Sequence, residues 1–312
     1  IAPALGTQGT GNLYARYGAA VDADTTWKMS FQGRHAEPSR QAGNGEESED
    51  RLNNAKLDFR FDRNLGSGSD LAIWANASES SLGDLARLEP STSYPLQVLP
   101  KTLMQKETQQ LIASRYRWLT DSGIESSLQI SAESSSIEMV KYLTIDRKTV
   151  DLDYQGRYTF ASHDLLWGLS HRSSSDDVRS GPTNVVFSIR NPSVTQRTSG
   201  LFLQDDWTLI PEKLQLGLGA RWDNTNLGGS TFAPNATLMW TPSKKDSVWL
   251  KYAKAPRMPA RAEQDASVLI GVIPPRAPGY PAVVIRNTPG DDLHAETMQS
   301  LELGYRTQLT TN

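Results

Sequence analysis

Polar and apolar side chains alternate along most of this chain. In 214-LQLGLGARWDN-224, Leu214, Leu216, Leu218, Ala220 and Trp222 are apolar, whereas Gln215, Gly217, Gly219, Arg221 and Asp223 are polar or carry no side chain. A period of two sends the two sets to opposite faces of a strand. Trp27, Met29 and Phe31 alternate in the same way with Lys28, Ser30 and Gln32. Leu57, Phe59 and Phe61 stand against Lys56, Asp58, Arg60 and Asp62. Leu71, Ile73, Ala75 and Ala77 stand against Asp70, Ala72, Trp74 and Asn76. Val150, Leu152, Tyr154, Tyr158 and Phe160 stand against Asp151, Asp153, Gln155 and Arg157. Helical periodicity is hard to find, so the fold class expected is all-β. Thirteen strands are predicted, near 11–19, 25–35, 54–63, 69–79, 106–119, 124–135, 147–160, 163–173, 197–209, 213–224, 233–242, 246–255 and 297–309. Each has about ten residues, the length a tilted membrane strand requires.

The connections carry a second pattern. Short turns at 21–25, 63–70, 119–124, 160–164, 210–213 and 241–246 alternate with mostly longer links at 36–53, 80–105, 136–146, 174–196, 225–232 and 256–296. An antiparallel meander with short links at one end and long links at the other fits a transmembrane β-barrel. The link at 136–146 has no Gly or Pro, so its hairpin is read as projecting in extended form. The link at 225–232 is modest in length.

The polar face decides the barrel type. Small soluble barrels and sandwiches fill their interiors with apolar residues. Here that face holds Lys, Asp, Arg and Gln on nearly every strand. About five alternate apolar positions at ~3.3 Å per residue span roughly the 25 Å band of an outer-membrane barrel. In 163-HDLLWGLSH-171, His163, Leu165, Trp167, Leu169 and His171 share a face, and the histidines bracket the apolar band. The apolar side of 214–224 is then a lipid face anchored by Trp222. Gly217 and Gly219 read as lumen positions left clear. The expected domain is a single partial antiparallel transmembrane β-barrel over 1–312, with long external loops near 36–53, 80–105, 174–196 and 256–296.

Composition narrows the function classes. The hydrophobic share is 38% and the mean hydropathy is −0.49. No apolar run approaches the ~20 residues of a spanning helix. A net charge of −3 gives no electrostatic case for nucleic acid. The absence of cysteine removes disulfides, thiolate metal sites and thiol nucleophiles. The chain opens on IAPALGTQGTG, with no Met or signal peptide, and stops soon after a strand-like segment. It is expected to be a piece of a longer protein.

Signals for catalysis are poor. There is no GxSxG, HExxH, Walker loop or dinucleotide fingerprint. His163 and His171 lie eight residues apart on one strand, roughly 26 Å at ~3.3 Å per residue, too far to share an ion. GEESED at 45–50 reads as a solvated external loop rather than a Ca²⁺ site. Asp205 and Asp206 are adjacent on a strand, so they face opposite ways and form no catalytic dyad. No catalytic, cofactor-binding or metal-binding residue is expected. The best candidate for binding is the link 256–296, with Arg257, Arg261, Arg276, Arg286, His294, Tyr280 and seven prolines. Within it, 268-VLIGVIPP-275 and 282-AVVIR-286 look like an extra hairpin. Arginine presents a forked donor suited to carboxylate, phosphate or chelate ligands. Arg257, Arg261, Tyr280 and Arg286, with Arg221 on a strand, are the ligand-binding candidates. The plainer reading is a loop whose charges face water or lipopolysaccharide phosphates. Arg60, Arg157 and Arg221 either line a cargo path or pair across strands with Asp58, Asp153 and Asp223.

Three segments carry a family resemblance. 200-GLFLQDDWTLIPEKLQLGLGARWDNT-225 resembles the F-x-QDE-x-x-L-x-x-x-L-x-L-x-x-G-x-R-x-D hairpin of TonB-dependent outer-membrane receptors. 233-APNATLMWTPSKKDSVWLKYAKAPRMPARAE-263 resembles that family's P-x-x-x-L-x-W-x-P strand and the S-x-A-x-R-x-P stretch that follows it. 290-GDDLHAETMQSLELGYR-306 resembles N-P-x-L-x-x-E-x-x-x-x-Y-E-L-G-Y-R. The chain departs from these patterns at the extra Pro256 and at TPGDDL. In that family a barrel of about 22 strands encloses a plug. The resemblance implies that the thirteen strands are the second to fourteenth of such a barrel, with the plug absent. It implies a receptor in the bacterial outer membrane that makes or breaks no bond and needs no cofactor. Its partners would be outer-membrane lipid and lipopolysaccharide, the TonB complex through the N-terminal plug, and a small-molecule metal chelate, above all an iron–siderophore. The alternatives are a passive porin-like channel and a non-membrane β-rich surface protein.

Overall fold

Side chains that alternate at period two need a partner strand on each edge, and the chain supplies one for nearly every strand. The computed structural model describes residues 1–7, 9–40, 43–48, 50–90, 98–140, 142–181, 187–273, 275–277, 279–290 and 293–309. The first strands are β1 (Ala2–Leu5), β2 (Gly11–Ala20), β3 (Thr25–Ala36), β4 (Leu52–Gly66), β5 (Ser69–Pro90) and β6 (Val98–Leu119). Next come β7 (Glu125–Met139), β8 (Leu143–Phe160), β9 (His163–Ser180), β10 (Phe187–Ile189), β11 (Ser193–Ile210) and β12 (Leu214–Thr225). β13 (Gly229–Ser243), β14 (Asp246–Arg257), helix α1 (Arg261–Asp265), β15 (Ala266–Ile273), β16 (Val283–Arg286) and β17 (Glu296–Thr307) complete the order. All strands but β10, β15 and β16 pair in one 14-stranded antiparallel sheet, in chain order from β1 to β17. The sheet is open, with β1 and β17 at its edges. β10, β15 and β16 form a separate three-stranded sheet.

All thirteen expected strands form, and the expected hairpin in 256–296 appears as β15 and β16. The short β1, β10 and α1 were not foreseen. The ladders also run further than expected. β5 continues to Pro90 and β6 begins at Val98. The 136–146 hairpin projects as extended strands, with Met139 opposite Leu143. The apolar stripe ends before the hydrogen bonding does. Beyond it, both faces are polar, as where Asp146 and Arg147 pair with Asp177 and Asp176. Alternation marks the stripe, and the backbone ladder needs no stripe to continue.

The opposite end is closed by tight turns. Ser67 and Gly68 join Gly66 to Ser69 with φ of 51° and 73°. Positive φ at both central residues gives the turn whose twist matches the flanking strands.

The apolar face lies uncovered. Met29, Phe59, Ala75, Ile112, Ala132 and Val150 stand side by side across six strands. Leu169, Leu203 and Leu303 are 56%, 52% and 75% exposed. Among the described residues only Ala72, Ala113, Tyr142, Val178 and Ala266 are buried hydrophobics. The chain exposes 20340 Å², against about 13,000 Å² for a globular monomer of 34.4 kDa. A sheet this apolar on one face, with no core behind it, suits hydrocarbon as its solvent. No described helix is long and apolar enough to cross a membrane, which says nothing of strands. At the short-turn end the rings of Tyr158, Phe160, His163 and Trp207 stack in sequence, 5.4, 5.1 and 5.0 Å apart. His163 Nδ1 lies 2.8 Å from Asp205 Oδ2, and His171 Nδ1 lies 2.9 Å from Ser199 Oγ. Each histidine therefore has its own partner.

This arrangement predicts a sharp asymmetry. In the full-length protein folded into vesicles, Leu203→Arg should cost about 2–4 kcal/mol in denaturant titrations. Spin labels at Leu216 and Leu218 should meet lipid-soluble relaxers, and labels at Gln215 and Thr237 water-soluble ones.

Candidate functional site

The polar face is a wall of charge divided into two sectors. On β2 to β6 it carries Arg16, Lys28, Arg34, Lys56, Arg60, Arg115 and Arg117 against Asp58, Asp62, Asp70 and Glu107. On β7 to β12 the balance reverses. There Glu125, Glu133, Asp151, Asp153, Asp164, Asp176, Asp206 and Asp223 face Arg147, Arg157, Arg172 and Arg221.

Within each sector, ion pairs run both along and across the strands. Lys56 Nζ lies 3.0 Å from Asp58, and both arms of Arg60 donate to Asp62 at 2.7 Å. Both arms of Arg221 donate to Asp223 at 2.7 Å. Arg157 donates to Asp164 at 2.8 and 2.6 Å. Two of the expected cross-strand pairs therefore change partner. Arg60 takes Asp62 rather than Asp58, and Arg157 takes Asp164 rather than Asp153. Arg221 keeps Asp223, but along its own strand. Residues two apart on a strand share a face at about 7 Å, within reach of a guanidinium laid along the strand. Directly across from Arg60 stand Lys28 and Trp74, neither of which can accept its protons. Arg16, Lys28, Arg34 and Arg115 form no ion pair among the described residues, and Arg115 Nε is buried without a hydrogen-bond partner.

The glycines of 214–224 read differently in three dimensions. A Cβ on Gly217 would stand 2.9 Å from Asp206 Oδ1, and one on Gly219 would stand 2.7 Å from Asn235 Nδ2. Side chains of β11 and β13 thus lie over β12 and fill the space the glycines leave. Gln204 Nε2 donates to the other Asp206 oxygen at 3.0 Å. Asp205, on the opposite face, is the partner of His163.

At the long-loop end, α1 is wedged against the barrel wall. Arg261 is 12% exposed, Asp176 10% and Asp265 8%. Arg261 bonds Asp265 and the carbonyl of Asn191, and its Nε lies 3.4 Å from Asp176 Oδ1. Asn191 Nδ2 donates to Asp265 Oδ1 at 2.6 Å. Arg147 stands 3.8 Å from the other Asp176 oxygen. Cations and carboxylates thus alternate from β8 through β9 to α1. Gln264 Nε2 also donates to the Leu227 carbonyl at 2.7 Å, tying α1 to the β12–β13 link.

The five candidate residues do not converge on one point. Arg221 is on the wall, and Arg261 is in this buried cluster. Arg257, at the end of β14, donates to Glu263 at 2.5 Å and to Glu296 at 3.3 Å. Tyr280 is 65% exposed beyond β15, and Arg286 is exposed at the end of β16. Arg257 and Arg261 flank α1. In the 45–50 loop, Glu46 accepts from Asn44 and Asp50 from Ser39, so these carboxylates turn to separate partners. Sequence reasoning missed Asp176, Asn191 and Asp265, which lie far apart in the chain. It also missed the unpaired Arg16, Lys28, Arg34 and Arg115. Summing charge by strand parity would have found those four.

Residues 3–312 match the family model described as TonB dependent receptor-like, beta-barrel. No curated protein matches the chain. A variant of the ferric enterobactin receptor of Pseudomonas aeruginosa has a similar fold, with a TM-score of 0.73 at 14% identity, over 96% of this chain and 48% of that one. A second variant of that receptor, in complex with enterobactin, gives 0.71 at 15% identity over 96% and 49%. The siderophore receptor PirA of Acinetobacter baumannii gives 0.70 at 12% identity over 97% and 48%. The chain spans about half the length of these structures.

Two outcomes test the loop anchor. Arg261→Ala leaves two buried carboxylates without their shared cation, which should cost about 3–5 kcal/mol locally. Hydrogen exchange should rise across 261–273 while the sheet stays protected. Glu263 caps α1 by accepting from the Ala260 amide at 2.7 Å. That amide and then Arg257 hold its carboxyl below its ordinary 4.5. A lowered folded pKa means the cap is present above the unfolded value and lost as pH falls through the folded one. Ala260 amide protection should be flat from neutral pH down to about 4.5 and fall only in stronger acid.

Proposed function

The chain belongs to the TonB-dependent receptor β-barrel family, and we propose that it forms part of the barrel wall of an outer-membrane receptor that imports an anionic metal chelate, foremost a ferric siderophore. The observation that carries this reading is the basic sector of the polar face. Four cations there, Arg16, Lys28, Arg34 and Arg115, make no close ion pair among the described residues, and only Lys28 and Arg115 feel a wall carboxylate, Asp62, which Arg60 already holds. A lumen lined by one sign of charge raises the local concentration of an oppositely charged solute. The siderophore names of the structural neighbours support the same class of cargo.

The rest of the reading follows the family resemblance. The thirteen long strands, β2 to β9, β11 to β14 and β17, are assigned as the second to fourteenth of the barrel. β1, a four-residue strand on the outer edge of β2, supports a strand before them. Long links face outside and tight turns face the periplasm. Arg257, Arg261, Tyr280, Arg286 and Arg221 remain the proposed ligand-binding set. Arg261 acts by holding the loop, Arg257 is tied beside it to Glu263 and Glu296, and Arg286 stands at the mouth. Release to the periplasm requires the plug and the TonB complex. Lipid and lipopolysaccharide surround the apolar face.

The test uses the full-length receptor in a strain lacking the native gene. Replacing Arg16, Lys28 and Arg34 together by Gln should slow uptake of an anionic ferric chelate about tenfold. A neutral solute of similar size should be unaffected. Unchanged uptake in the triple variant would reject the basic path. Loss of the gene with no effect on any chelate would reject the siderophore class. Uptake that persists without TonB would make the protein a passive pore.

A further inference from the structure

The β15–β16 hairpin has the wrong chemistry for a loop that faces water. Its segment 266–287 reads ASVLIGVIPPRAPGYPAVVIRN, with no carboxylate side chain and with Arg276 and Arg286 as its only charges. Ile273 stands opposite Val283, and Gly271 opposite Ile285. Cross-strand partners and residues two apart share a face, so Ile273, Val283 and Ile285 make one apolar surface. Gly271 leaves a notch in it, since a Cβ there would meet nothing within 4 Å. All three side chains are exposed, and so is Ile270, which bulges out of register between Leu269 and Gly271. Apolar side chains gathered on an exposed surface mark a binding site more often than a solvated one.

Position decides what can reach this surface. Helix α1, which leads into β15, is held through Arg261 by Asp176. Asp176 lies on the lumen side of the wall, at the end of a rung that runs Lys56, Ser78, Gln109, Ser135, Arg147, Asp176. The loop sheet is thus mounted from the side of the charged face, not from the side that meets lipid. β16 is the outer strand of that sheet. Its four residues offer little backbone to an added polypeptide strand, and edges that short resist strand pairing. A solute on its way into the lumen remains, and the charges at the hairpin ask that it be an anion.

We propose that the cargo is amphiphilic, an anionic metal chelate that carries an acyl chain. The chain lies on Ile273, Val283 and Ile285, and the chelate faces Arg286 at the end of β16. This rests on the import reading above and adds to it the class of molecule imported. A chelate without a tail would leave the apolar surface uncovered.

The probes are iron(III) complexes of a citrate-based dihydroxamate chelator, made with acetyl or with dodecanoyl amide arms. Their charge and metal centre are the same. The full-length receptor in nanodiscs, with empty nanodiscs subtracted, should bind the dodecanoyl complex about 30-fold more tightly, as burial of a few methylenes gives. Val283→Thr with Ile285→Thr keeps the β-branched shape and should cut that ratio to about threefold. Ile273→Thr takes its place if the pair fails to fold, which heat-modifiable mobility on gels reports. A small polar thiol reagent should label Val283→Cys in the ligand-free receptor, and the dodecanoyl complex should block it. A thiol shielded before ligand is added means that another segment or lipid covers the face, and overturns the proposal. Equal binding of the two complexes, or binding of neither, also overturns it. The import reading falls separately, if loss of the gene alters uptake of no chelate.

Discussion

Everything in this chain depends on the unbroken backbone ladder. Where an apolar face meets hydrocarbon, an unpaired amide or carbonyl costs several kcal/mol, because no water is there to satisfy it. A spanning strand must therefore be paired along both edges, and irregular backbone is confined to the ends. The antiparallel meander is the cheapest way to meet that demand with consecutive segments. It explains the tight turns at one end, where Ser67, Ala161 and Glu212 accept positive φ. It also explains why glycines inside strands are covered. Trp167 lies over Gly156 and Trp249 over Gly304, so large rings restore the packing that a missing Cβ removes.

Period two then distributes the chemistry. A soluble fold gains stability by burying its apolar face, but here that face stays uncovered and the charged one lines the other side of the sheet. Charges on that wet face keep much of their hydration, so i, i+2 pairs such as Arg60 with Asp62 need not be buried to form. At 40% and 41% exposure, such a pair adds little to stability. It does set the local field. Where Arg and Asp alternate on one strand the field cancels. Around Arg16, Lys28, Arg34 and Arg115 it cancels less, because seven cations of that sector face four carboxylates.

Much of this was legible in the sequence because alternation is a local signal. The thirteen strands, the two faces and the hairpin at 268–286 all follow from positions one or two residues apart. What the sequence concealed was non-local. The ladder of β5 and β6 continues past the apolar stripe, since backbone pairing carries no side-chain signature. Arg157 meets Asp164 only because the turn at 161–162 folds β9 onto β8. Gly217 and Gly219 suggested empty lumen, yet the side chains that fill the space, Asp206 and Asn235, come from the two flanking strands. The anchor of Asp176, Asn191, Arg261 and Asp265 draws on three separate segments. No spacing rule connects residue 176 with residue 261.

That anchor gives the long link its character. A forty-residue connection closed only by entropy would sample many positions, and a ligand would have to order it on binding. Here β15 pairs with β10 on one edge, and Asp265 accepts the Arg190 amide through its carbonyl. Arg261 shares its charge between a loop carboxylate and a wall carboxylate. Such a buried pair adds little net stability over an apolar substitute, because desolvation offsets attraction. Its value lies in geometry, since a single charge exchanged for an apolar side chain would leave the other stranded. The loop sheet is therefore set on the wall in one position, with Arg257 and Arg286 carried at defined places. Ordering that is complete before a ligand arrives leaves more of its contact energy for binding.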